Sequence, residues 1–286
     1  MKATAGTLST RILAEGLVFG EAPRWHDGCV WASDMLGGRV VSVGLNGRLE
    51  ERASVPTGPS GLGWLQDGRM LVVSMADFRL LAFKDGISEV YADLSISRGT
   101  PNDMVVDGRG RAYVGNAGCN LFTGIDPKPT NLVLVKDGRA SEVADDLIFP
   151  NGMVIDPSGS TLIVAETFAH RLTAFDITRS DGSLTARRVF ANLGKRTPDG
   201  ICMDAEGAIW VASAETGEFI RVREGGDITH VIDTHGRFAT ACVAGGPDRR
   251  LLFMITAHMT PELFAKRETT ARIEVADLEI AGAGNP

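Results

Sequence analysis

Short apolar runs alternate with Asp- and Gly-rich turns along the whole chain, and helical periodicity is almost absent. One phrase recurs: a small or Pro-containing start, a short apolar run, a polar turn, then a second strongly apolar run. It appears as EAPRWHDGCVWAS from Glu21, PSGLGWLQDGRMLVVS from Pro59, PNDMVVDGRGRAYVGN from Pro101, PNGMVIDPSGSTLIVAE from Pro150 and PDGICMDAEGAIWVAS from Pro198. A decayed copy, TACVAGGPDRRLLFMIT, begins at Thr240. Starts at 23, 59, 101, 150, 198 and 240 give spacings of 36, 42, 49, 48 and 42. Turns such as Asp67-Gly68, Gly108-Arg109 and Glu206-Gly207 join two strands in each repeat, because such residues tolerate the positive φ of a tight hairpin. A third and fourth strand follow, as in Arg79–Lys84 and Ser88–Leu94 linked by Asp85-Gly86; the one helix-like stretch is Pro261–Arg267. Four strands per period of about 40–50 residues is the pattern of propeller blades. The expected fold is therefore all-β, a six-bladed β-propeller with four-stranded antiparallel blades, forming a single domain over residues 1–286. A ring must close to hide its edges, so the segment Thr10–Glu15 is expected to complete the last blade beside Ala271–Ile280.

Aligned repeats place Glu21, Ser60, Asn102, Asn151, Asp199 and Ala241 in one register at the start of each first strand. In a propeller these strand ends converge on the central axis. Two carboxylates there would repel and lose hydration unless something compensates them, and no Lys, Arg or His occupies the same register. A bound cation is the simplest compensator. Glu21, Asn151 and Asp199 offer only oxygen, which suits a hard divalent ion, Ca²⁺ first, with Mg²⁺, Mn²⁺ or Fe²⁺ as further possibilities. Zinc ordinarily takes His or Cys. Asn, Asp and Ser at strand starts are also common turn residues, but Glu21 is a poor turn former, and two carboxylates and two amides in one register favour the axis.

The net charge of −7 and pI near 5.3 argue against a nucleic-acid surface, which needs a basic patch. Cys29, Cys119, Cys202 and Cys242 lack the spacing of a zinc site or disulfide framework. Met1–Gly20 has no apolar core of signal-peptide length, and no segment nears the about 20 apolar residues of a membrane span. A cytoplasmic protein with no membrane partner, acting as a monomer or weak homo-oligomer, is the resulting expectation. No G-x-S-x-G elbow, P-loop, dinucleotide fingerprint or H-E-x-x-H is present, and the five histidines show no metal-ligand spacing.

GEAPRW (Gly20–Trp25), PNDMVVD (Pro101–Asp107), FPNGMVIDPSGSTLIVAET (Phe149–Thr167) and TPDGICMDAEGAIWVA (Thr197–Ala212) resemble, in this order, the SMP-30/gluconolactonase/luciferin-regenerating-enzyme family. The resemblance covers nearly the whole chain. It implies a six-bladed propeller, one divalent metal ion, commonly Ca²⁺, and hydrolysis of a small-molecule lactone. Matched by motif, it makes Glu21, Asn151 and Asp199 metal ligands and Asp199 the acid/base. Asn102 would contact substrate or metal-bound water, with Asp103 beside it. Sugar-lactonase members carry an Arg two residues before the position of Asn102, where this chain has Thr100; the nearest Arg, Arg98, becomes the substrate-binding expectation. The loop after Asn116 lacks the acidic residue those members use for sugar hydroxyls and offers Leu121 and Phe122, as pocket lining or as blade packing. A substrate less polar than gluconolactone is one consequence. Two rival readings are a phosphotriester or organofluorophosphate hydrolase on the same metal, and a non-catalytic binding propeller, since a fold does not fix a function.

Overall fold

The structure, a computed structural model, describes residues 6–124 and 126–285. The first blade consists of Gly20–His26, Cys29–Asp34, Arg39–Gly44 and Leu49–Ser54, hydrogen-bonded in that order. The next four blades begin with Pro59–Trp64, Pro101–Val106, Pro150–Ile155 and Pro198–Asp204, and each continues outward in chain order. The sixth blade runs Phe238–Gly245, Leu251–His258, Thr270–Asp277 and then back to the N-terminal strand Thr10–Leu17. Inner strands touch their neighbours in cyclic order, and Gly20–His26 against Phe238–Gly245 closes the ring. The expected closure is found: Thr10 pairs with Ala276 and Arg11 with Val275 in antiparallel register. Ala14 and Leu17 are buried in the largest core cluster by that pairing.

Burial explains why the second strand of each repeat is the most apolar. Met70–Ser74, Ala112–Asn116 and Ile209–Ser213 are buried at every residue, packed on both faces between adjacent blades. Strands covered on both faces become continuous apolar runs and lose alternation. The outer strands face water on one side, so Leu49–Ser54 (LEERAS) can carry charges. Each fully buried Val, Leu or Ile contributes about 1.5–3 kcal/mol, and the cores repeat around the ring. The short helix expected near Pro261 spans Pro261–Lys266, with Thr260 as its N-cap accepting from Leu263 N. Among the described residues no helix is long and apolar enough to cross a membrane.

The structure adds a strand near the end of the described residues and shifts one turn. Gly282–Ala283 joins the fifth blade as a fifth strand, pairing with Asp204 and Met203 of its inner strand. Asn285 then exchanges backbone hydrogen bonds with Ile155 of the fourth blade and donates its side-chain amide to Val106 O of the third. The last described residues thus tie three inner strands together. A run of Gly and Ala has no apolar alternation to announce such a strand. Gly282 is there because a Cβ would come within 2.2 Å of the Ala244 Cβ. In the third blade the positive-φ turn residue is Gly110 (φ 75°), not Gly108-Arg109.

Candidate active site

Every inner strand carries a pairing irregularity at its axial end. The register slips between Glu21 and Arg24, Pro59 and Leu62, Pro101 and Met104, Pro150 and Met153, Pro198 and Ile201, and Ala239 and Ala241. Such bulges re-aim side chains and are frequent beside sites. Gly20, Pro59, Pro101, Pro150 and Pro198 occupy one level, each paired with the last residue of its second strand, and Ala239, paired with Thr256, stands at the same distance before its own register slip as Pro198 does. The next residues are Glu21, Ser60, Asn102, Asn151, Asp199 and Thr240. The sixth axial position is therefore Thr240, one residue before the Ala241 expected from sequence. Thr240 donates its hydroxyl to Gly20 O at 2.8 Å across the closing seam.

Ala241 falls instead at the level of Gly61, Gly152 and Gly200, where adjacent inner strands meet. A Cβ on Gly152 would lie 2.3 Å from Asp199 O, and one on Gly200 would lie 2.3 Å from the Ala241 Cβ. The glycines of the PSG, PNG and PDG motifs thus let the strands approach; Gly61, Gly152 and Gly200 are absent from the positive-φ positions.

Glu21, Asn102, Asn151 and Asp199 are all buried at the axis. Burial first, then the charges of Asp199 and Asp103, push the Glu21 carboxyl well above the usual carboxylate range. Asp199 is pushed up for the same reasons, burial and then Asp103, with the Asn151 side chain pulling the other way. Asp199 Oδ1 is buried with no hydrogen-bond partner. Sequence reasoning found no cation in register, but the fold supplies one from three residues further on. Arg24 is buried and pairs with Asp103 at 2.9 Å, while also donating to Leu62 O, Pro23 O and Met104 O. It compensates Asp103, itself pushed up by burial and pulled back by Arg24. Arg24 lowers Glu21 only as the last of five influences and is absent from those on Asp199. An Arg three residues after Glu21 in the same inner strand, Gly20–His26, was the available signal.

The amides are linked side to side. Ser60 Oγ donates to Asn102 Oδ1 at 2.8 Å, and Asn102 Nδ2 to Asn151 Oδ1 at 3.1 Å. Asn151 Nδ2 donates to Thr167 Oγ1 at 3.2 Å, and Thr167 to Pro198 O at 2.8 Å. Thr167, the end of the AET triplet, was not singled out from sequence.

The substrate-side expectations divide. Asp103 is brought close enough to raise both axial carboxyls, but its carboxylate is held by Arg24 and Met104 N. Arg98 is not brought to the axial residues: its Nη2 donates to both carboxylate oxygens of Glu142 on an outer strand, at 2.9 and 2.7 Å. Thr100 is buried, and its hydroxyl accepts from Leu121 N at 3.2 Å. Leu121 packs against the main core, whereas Phe122 is 47% exposed. All four cysteines are free thiols, with Cys202 and Cys242 buried.

A divalent cation fits this donor set. Among the described residues no three His, Cys, Asp or Glu side chains cluster as a metal-holding group, so a centre here must draw on amide oxygen. Glu21, Asn151 and Asp199 provide two carboxylates and one amide, all hard donors. The orphaned Asp199 Oδ1 is the particular mark: an unpartnered buried acceptor costs about 1–3 kcal/mol, and more when charged.

A family model described as the SMP-30/Gluconolactonase/LRE-like region matches residues 19–258. Among curated proteins, a 6-deoxy-6-sulfogluconolactonase of Pseudomonas putida is 24% identical over 278 residues, 95% of this chain and 91% of that one. A pentonolactonase of Haloferax volcanii is 25% identical over 257 residues, 87% of this chain and 84% of its own. Among solved structures, a calcium-binding protein, regucalcin, of Agrobacterium tumefaciens superposes with a TM-score of 0.83 at 23% identity, covering 99% of this chain and 98% of that one. The six-bladed ring, the ordered motifs and this match converge: the chain belongs to the SMP-30/gluconolactonase/LRE-like family.

Proposed function

We propose that this protein is a divalent-metal-dependent hydrolase that opens a lactone ring. Relatives named as lactonases support the reading. The observation that carries it is the buried, unpartnered Asp199 Oδ1, with burial and charge acting on Glu21 and Asp199 together. Glu21, Asn151 and Asp199 would hold the ion, Ca²⁺ first, with Mg²⁺, Mn²⁺ or Fe²⁺ as alternatives. When bound, such an ion polarises an ester carbonyl and stabilises negative charge on its oxygen.

The chain's own groups do the rest. Asp199 is the general base: it takes a proton from the water that attacks the carbonyl carbon. It returns that proton to the ring oxygen as the carbon–oxygen bond breaks, leaving a hydroxy acid. Asn102 has one amide hydrogen engaged by Asn151, which leaves the second for a substrate oxygen. Arg24 holds Asp103 in place and limits the negative charge around Glu21.

We infer a lactone with an apolar substituent rather than a polyhydroxylated one. Thr100 stands where sugar-lactonase members carry Arg, and its hydroxyl accepts from Leu121 N. Arg98 is occupied by Glu142, and Phe122 is exposed.

The test is acid release from a panel of sugar, aliphatic and aromatic lactones, using chelated protein with each divalent ion restored. Asp199→Ala should lose both ion binding and turnover, the latter by about 10²–10⁴-fold, the usual worth of a positioned acid or base. Asn102→Ala should keep ion affinity and lose mainly turnover. Full activity in Asp199→Ala, or after complete chelation, would overturn the assignment. Tight ion binding without any lactone turnover would point to phosphotriesters, and no ion binding to a small-molecule-binding propeller.

A further inference from the structure

The axial amides belong to one hydrogen-bond chain that crosses from the second blade to the fifth: Ser60, Asn102, Asn151, Thr167 and the carbonyl of Pro198. Its direction follows from its last member. A backbone carbonyl only accepts, so the Thr167 hydroxyl must donate to Pro198 O. With its single hydrogen engaged, Thr167 Oγ1 can only accept from Asn151. Asn151 must then turn Nδ2 to Thr167 and Oδ1 to Asn102. Asn102, having given Nδ2 to Asn151, must accept from Ser60 through Oδ1. Only the Pro198 carbonyl, which has no hydrogen, gives the chain a single sense.

We propose that Thr167 is a positioning residue that fixes the amide orientation of Asn151, and through it that of Asn102. An Asn amide is nearly symmetric in shape but not in charge: one end attracts a cation and the other repels it. Holding Nδ2 against Thr167 turns Oδ1 the other way, where one lone pair accepts from Asn102 Nδ2 and the second is left for an ion. The consequence for ion binding rests on the metal reading above; the direction of the chain does not. Thr167 is 6% exposed, so water is a poor substitute for its hydroxyl.

Three variants separate positioning from simple packing. Thr167→Val keeps the shape and removes the hydroxyl, Thr167→Ser keeps the hydroxyl, and Asn151→Asp places oxygen at both ends so that a flip changes nothing. Calorimetric titration with Ca²⁺ or Mn²⁺ should show Thr167→Val weakening ion binding by about 10–100-fold, the usual effect of removing a group that orients a ligand. Thr167→Ser should restore near-native affinity. In the Asn151→Asp background, Thr167→Val should cost no further affinity. Without any metal, Thr167→Val should also shift the side-chain amide resonances of both Asn151 and Asn102 in ¹⁵N spectra, although Thr167 does not touch Asn102. Lower thermal stability with unchanged ion affinity and an unmoved Asn102 amide would overturn the proposal. If the native protein binds no divalent ion, the metal reading fails, and the amide spectra alone decide the chain.

Discussion

Replacing Gly152 by Ala puts a methyl group into the contact between the fourth and fifth inner strands. The new Cβ would lie 2.3 Å from Asp199 O, 2.7 Å from Gly200 Cα and 2.8 Å from Ile201 N. All three are backbone atoms, so no side chain can swing aside. Ordinary contact begins near 3.4 Å, and relief requires the strands to part by about 1 Å. Overpacking a close-packed region costs about 1–3 kcal/mol, and backbone neighbours place this site at the upper end. At about 2–4 °C per kcal/mol for larger domains, the unfolding midpoint should fall by about 4–10 °C. The displaced strand is the one that carries Asp199, so ion affinity and turnover should fall with stability. Gly108→Ala is the control: its φ is not in the left-handed region and nothing lies within 4 Å of the added Cβ. It should be neutral or stabilise by up to about 1 kcal/mol through the unfolded chain. Thermal unfolding by circular dichroism, followed by ion titration, measures both. Equal midpoints for the two variants would refute the claim that the axial glycines are required by strand approach.

Glu21 and Asp199 are both pushed upward, so without a cation the folded state holds protons that the unfolded chain releases near pH 4. Their contribution to stability is full below that value and is lost as pH rises through the folded pKa values. The chelated protein should therefore lose thermal stability with rising pH across this window, and a divalent ion should remove the slope while releasing protons on binding. Buffer-dependent calorimetry detects that release; none at all would mean that both groups are already ionised. Arg221 and Asp204 form a pair at 2.5 Å whose side chains are only 2% and 0% exposed. Arg221→Met should cost about 3–5 kcal/mol by leaving a buried charge alone, read by urea unfolding, and a loss below about 1 kcal/mol would count against it. Ending the chain after Leu278 removes the pairing of Gly282, Ala283 and Asn285, so the midpoint should fall while the β-sheet spectrum persists; an unchanged midpoint would deny the tail a structural role.

Repeat spacing, strand pairing and ring closure were legible because they depend on local turn chemistry and on apolar runs that burial between blades requires. The same regularity placed Glu21, Ser60, Asn102, Asn151 and Asp199 at one level. It failed at the sixth position because the decayed repeat has no Pro-X-Gly signature, so Thr240 and Ala241 could be told apart only by their partners, Thr240 through its bond to Gly20 O and Ala241 through its contact with Gly200. The terminal strand Gly282–Ala283 was invisible for a related reason: its place is set by close approach to Ala244, not by its own propensity.

Sequence by itself determined the architecture and the donor types at the axis, since both follow from which residues recur at which interval. Tertiary structure alone decided the site's electrostatics and orientation. Whether Arg24 compensates Asp103, whether Arg98 faces substrate or Glu142, and which end of Asn151 meets Thr167 all depend on groups far apart in the chain. Charge and hydrogen-bond direction act over a few ångströms in space, and a linear repeat carries no record of which neighbours the ring will bring that close.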